Sequence, residues 1–79
     1  MFELKFSPLA GSLIGKQAIG KNEYGFEYSV IQTNMSYGGE RGLYEFAGYN
    51  EVGDMVHEKV HGWLTLQEAT DMAENWKGK

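Results

Sequence analysis

Apolar and polar residues alternate along most of this chain, and near the end the alternation gives way to a helical spacing. Phe2, Leu4 and Phe6 alternate with Glu3 and Lys5, the pattern of a half-buried strand. Ser7-Pro8 ends it, since proline cannot donate to a ladder. Residues 9–20 read two ways. Leu13, Ile14, Ala18 and Ile19 form a short strand or an irregular turn; alternatively Ser7 caps a helix with Pro8 at its first position. Gly11 and Gly15 would weaken that helix by about 1 kcal/mol each. Residues 24–32 are the best strand, with Tyr24, Phe26, Tyr28 and Val30 on one face and Glu27 and Ser29 on the other. A polar, glycine-rich loop follows over 33–42. Residues 43–49 resume a strand, 50–54 make a turn, and 55–61 read as a further strand with Val56 and Val60 opposite His57, Lys59 and His61.

The period then changes. Thr65 is placed to cap a helix, and Glu68 three residues later completes a capping box. Leu64 and Ala69 suit a hydrophobic staple. Leu66, Ala69, Met72, Ala73 and Trp76 fall on one arc, and Gln67, Glu68, Asp71, Glu74 and Asn75 on the opposite one. Strands first and one amphipathic helix last predict an α+β fold: an antiparallel sheet of three to five strands with a C-terminal α-helix packed on one face. The expectation is one domain over residues 1–79, with no internal repeat or linker. The other sheet face stays open. Tyr44 and Phe46 alternate with Leu43, Glu45 and Ala47, so apolar residues occur on both faces, and at least two of the five tyrosines are expected at the surface.

Charge sharpens this picture. The net charge is −4, unevenly spread. Residues 1–22 set Glu3 against Lys5, Lys16 and Lys21, a net +2. Residues 23–58 set Glu23, Glu27, Glu40, Glu45, Glu51, Asp54 and Glu58 against Arg41 alone, a net −6. An acidic middle argues against direct nucleic-acid binding, which needs clustered Lys and Arg. It suits a basic partner, or simply the solvated faces of strands. With no cysteine there is no disulfide and no thiolate metal site, which fits a reducing cytoplasm. Residues 1–6 lack the basic and apolar run of a signal peptide, and no apolar run approaches the roughly 20 residues of a membrane span. A cytoplasmic chain without a membrane partner is expected.

One catalytic motif is present. His57-Glu58-Lys59-Val60-His61 matches HExxH, the zinc-protease signature. On a helix its histidines stand about 6 Å apart and converge on one ion. On a strand they are roughly 13 Å apart and cannot. Val56 and Val60 favour the strand, and a third ligand at standard spacing is missing. A zinc-dependent hydrolase through His57, Glu58 and His61 is therefore the second reading, and no metal, cofactor or catalytic residue is expected. Residues 10–17 resemble a phosphate-binding loop, but Ala10 stands where its first glycine belongs and Gln17 where its Ser or Thr belongs.

Tyr24, Tyr28, Tyr37, Tyr44 and Tyr49 lie in or beside the acidic middle, with Phe26 and Phe46. In its strand pair at 24–32 and 43–49, its Gly62-Trp63-Leu64-Thr65-Leu66-Gln67-Glu68-Ala69 helix start and its acidic balance, the chain resembles the small acidic anti-CRISPR proteins of bacteriophages. The resemblance spans the whole chain in size and layout and rests on no shared motif. It implies a protein without catalysis that occupies a basic, nucleic-acid-binding surface of a CRISPR effector or other nuclease in a bacterial host's cytoplasm. By charge and position, Glu40, Tyr44, Glu45, Tyr49, Glu51 and Asp54 are the candidate partner-binding residues. A homodimer that buries the open sheet face is the third reading.

Overall fold

The computed structural model describes residues 2–9 and 14–79. The chain runs β1 (Ser7–Pro8), β2 (Gly15–Lys21), β3 (Glu27–Thr33), β4 (Tyr44–Gly48), β5 (His61–Leu64) and α1 (Leu66–Asn75). The five strands form one antiparallel meander in chain order, with the helix across one face, as the hydrophobic pattern predicts. No helix among the described residues is long and apolar enough to cross a membrane.

Register explains the core. Ala18 pairs with Val30 and Val30 with Phe46, so a row of apolar side chains crosses β2, β3 and β4 on one face. Tyr28, Tyr44 and Leu64 extend this row on the same face, and Ala69, Met72, Ala73 and Trp76 press on it from the helix. The two alanines on this face let helix and sheet approach closely. Trp76 sets its ring edge-on to Phe46 at 5.6 Å and donates its indole N–H to the Tyr49 carbonyl at 2.7 Å. Its ring lies so close to Gly48 that a methyl group there would stand 2.2 Å from the indole. Helix entry is as the sequence predicts: the Glu68 amide donates to the Thr65 hydroxyl and the Thr65 amide to the Glu68 carboxylate. Leu66 departs from the arc and is 49% exposed. The helix starts from β5, the sheet edge, and among the described residues no further strand lies beyond it to cover that first turn.

Helix exit has a device the pattern does not signal. Asn22 is buried and donates its amide to the carbonyls of Ala73 at 2.9 Å and Trp76 at 2.7 Å. Its carbonyl oxygen accepts from the Tyr24 and Phe26 amides. One side chain thus holds the β2–β3 turn and satisfies carbonyls that a helix end leaves open. This turn is also why β3 starts at Glu27 and not at residue 24, and why Tyr24 is exposed.

Three other expectations are corrected. Phe2, Leu4 and Phe6 alternate in burial, yet residues 2–6 form no ladder. Their rings instead cover the core face, with Phe2 5.7 Å from Tyr28 and Phe6 5.4 Å from Tyr44. The ladder begins at Ser7-Pro8, where it was expected to end, so no helix starts there. Residues 10–13, with Gly11 and the start of the phosphate-loop resemblance, lie outside the described residues; Gly15, Lys16 and Gln17 open β2. Residues 55–61 are not one strand. Tyr49 bridges Met55 and Phe46 pairs with His61, so β4 advances three residues while its partner advances six. The surplus is taken up in a one-turn 3-10 helix, His57–Lys59. The ladder resumes at His61.

Both sheet edges are blunt. β1 is two residues long and contains a proline. On the other edge the register slips by one more residue between the pairs Phe46–His61 and Tyr44–Leu64. The extra residue is Trp63, held at φ 60°. Its amide donates to the Tyr37 carbonyl of the 33–42 loop, which thereby takes up a donor of that edge.

Candidate functional site

The face away from the helix is built by the other half of each strand's alternation. Ile31 pairs with Glu45 and Ser29 with Ala47, all pointing outward. Residues 55–60 then rise along this floor. The Val56 amide donates to the Gly48 carbonyl, and the 3-10 turn brings Met55, His57 and Val60 over β4 as a wall. Floor and wall enclose an open groove of about 410 Å³. Its single carboxylate is Glu45, half-buried, and its lining contains no lysine or arginine. Burial raises the Glu45 carboxyl above the ordinary glutamate value, since desolvation disfavours the charge.

The other candidate residues are distributed along β4. Glu51 and Asp54 are exposed in the turn that follows it. That turn is an Asx arrangement: the Asn50 side chain accepts from the amides of Val52 and Asp54, and Gly53 takes φ 89°. Tyr49 is half-buried, between the bridge to Met55 and the indole N–H it receives. Glu40 is exposed in the one-turn 3-10 helix Gly39–Arg41, before β4, so the strand's length of roughly 13 Å separates it from the turn. Glu45 therefore faces outward near the start of β4, Glu40 lies just before the strand, and Glu51 lies in the turn beyond its far end, where it lines a separate cleft with Phe26, Asn50, Lys77 and Lys79. Tyr44 is 7% exposed on the opposite face, with Phe6 against its ring and the Lys16 ammonium 5.5 Å from its centroid. It is core and offers a partner no surface.

His57 and His61 do not share a helix. His57 opens the 3-10 turn and His61 begins β5, and both are exposed. The α-helical geometry that HExxH chemistry uses is not formed, and no group of three or more His, Cys, Asp or Glu gathers for a metal among the described residues.

A second feature escaped the sequence pattern. Bulged Trp63 is 57% exposed, and Tyr37 beside it 67%. Tyr37 lies directly over Gly62, the Trp63 ring touches Gly38, and the Arg41 guanidinium stands 5.9 Å from the indole centroid. Two glycines that leave room for two aromatic rings were the available signal. Tyr24 and Tyr37 are the two exposed tyrosines. No family model, curated protein or solved structure matches this chain.

Proposed function

We propose that the chain is a non-enzymatic binding protein, an inhibitor of the anti-CRISPR kind, that lays its acidic middle on a basic, nucleic-acid-binding surface of a bacterial defence protein. One observation carries this reading. Glu45, Glu51 and Asp54 follow one another along β4 and its turn, and no lysine or arginine occurs in the sequence between Gly42 and Glu58, while Lys77 and Lys79 line a cleft with Glu51. Such an excess of carboxylates along one segment speeds encounter with a cationic partner and disfavours nucleic acid. Tyr49 adds contact area within it, and Glu40 extends the charge at the far end.

The test is a pull-down from a bacterial lysate with the wild type beside a Glu45→Lys, Glu51→Lys, Asp54→Lys triple variant. The wild type is expected to capture a nucleic-acid-binding protein, to displace labelled nucleic acid from it, and to release it as salt rises, because exposed charges are screened beyond about 8 Å at physiological ionic strength. The triple variant is expected to fold and to capture nothing of that kind. Equal capture by both chains, or capture of no nucleic-acid-binding protein, refutes the reading.

A homodimer through the open face is a second reading, favoured by Ile19, which stands 61% exposed beside half-buried Ile31. A solution mass that doubles with concentration would support it.

A further inference from the structure

The groove over β4 combines two properties that call for a particular kind of guest. Its walls are mostly apolar, from Ile31, Ala47, Met55 and Val60, and its one charge is the carboxylate of Glu45 in the floor. Within the lining nothing neutralises that carboxylate, for His57 is the only basic-type side chain there and no lysine or arginine reaches in. A wholly apolar guest would strip water from Glu45 and leave a buried charge unpaired, which is costly. A small cation would meet the carboxylate and leave the apolar walls wet. The guest that satisfies both is long, apolar along its stem and cationic at its tip.

We propose that the groove receives an arginine side chain of the partner protein, its guanidinium paired with the Glu45 carboxylate and its methylene stem along Ile31, Ala47 and Val60. Arginine suits the site better than lysine because its planar head is weakly hydrated and binds a carboxylate through two parallel hydrogen bonds. Partial burial raises the Glu45 carboxyl above the ordinary glutamate value, and a guanidinium beside it would offset that desolvation. The proposal rests on the reading above, that the partner surface is basic, and adds where its anchoring residue enters. Glu51 and Asp54, in the turn after β4, are not part of the groove lining and act only on approach.

The probe is N-acetyl-arginine amide, titrated into the isotope-labelled protein and followed by amide chemical shifts. N-acetyl-citrulline amide, of the same shape without charge, is titrated in parallel. Saturable shifts centred on Ile31, Glu45, Ala47 and Val60 with the arginine compound, at least tenfold weaker with the citrulline compound and in Glu45→Gln, are the expected result. Asp71→Asn, at an exposed position on the helix, should keep the binding. Glu45→Gln is a near-isosteric change at a half-buried position, and its spectrum reports directly that it is folded. Shifts scattered over all acidic residues, equal binding in Glu45→Gln, or equal binding of citrulline would overturn the proposal, as would a groove that stays silent to arginine. Silence in the groove while the wild type still displaces nucleic acid from its partner would refute the arginine site alone. Arginine binding in the groove without any captured nucleic-acid-binding protein would support the site and refute the inhibitor reading.

Discussion

Three residues are in tension with their surroundings or resolve a tension elsewhere. Asn22 uses both amide hydrogens and accepts twice, which fills its hydrogen-bonding capacity. Asn22→Ala leaves the carbonyls of Ala73 and Trp76 and two turn amides without that partner, and should cost about 3 kcal/mol in chemical denaturation. A loss below about 1 kcal/mol would mean that water replaces these bonds freely. Trp63 sits at φ 60°, where a bulky residue is strained and glycine is at ease. Trp63→Gly should therefore keep or raise stability, by up to about 1 kcal/mol, while Trp63→Val, which is branched next to the backbone, should lower it by a similar amount. The ordering of the two melting temperatures is the check. Glu45 has its carboxyl pKa raised in the folded state. Below the unfolded value the group is neutral in both states and the fold is fully favoured. As pH rises through the folded value, charge is forced into the groove and stability falls. Glu45→Gln should thus be as stable as the wild type in acid and slightly more stable at neutral pH, by a small margin because solvent screens a group so open to water. Thermal melts of both chains across that range would show the curves separating; a wild type that gains on the variant as pH rises would contradict the stated sign.

At the level of elements, what was legible in the sequence is what is local. The helix start depends on Thr65 and Glu68, three residues apart, and both hydrogen bonds form. Thr65→Ala should remove one of them and cost about 1 kcal/mol, measured by denaturant midpoint, with Thr65→Ser nearly neutral. The strands at 24–32 and 43–49 are legible because alternation is also local, although their ends shift to Glu27–Thr33 and Tyr44–Gly48. Illegible features depend on partners far along the chain. The break in 55–61 follows from which residues of β4 the ladder can reach, and the valines alone read as strand. The alternation at Phe2, Leu4 and Phe6 correctly signals burial, but burial on a sheet face does not require membership of the sheet. Asn22 gives no sign because the carbonyls it serves are 51 and 54 residues away. Of the candidate site, the acids of the turn were legible from charge and turn chemistry. The facing of Tyr44 was not, since apolar residues on both sides of β4 leave its orientation open, and the groove exists only once the 3-10 turn has folded over the strand.

For the molecule as a whole, the core is thin and assembled from three sources: sheet, helix and the unpaired N-terminal segment. A chain of 79 residues leaves about 60–65% of its unfolded surface buried, so each source matters. Deleting residues 1–6 removes the rings packed on Tyr28 and Tyr44 and should cost at least about 3 kcal/mol, with dye-binding apolar surface appearing before heat unfolding. An unchanged melting temperature would show the segment to be dispensable cover. The two blunted edges have a different kind of consequence. An exposed strand is a template on which another chain of the same sequence can continue the sheet, and sheets continued in that way grow into fibres. Here a proline interrupts the template at one end, and a bulge with a loop laid against it interrupts it at the other. Self-templating is thereby closed to the folded protein, so a concentrated solution should stay free of fibrils for as long as the fold holds, and the first fibrils should follow the loss of the folded signal rather than precede it.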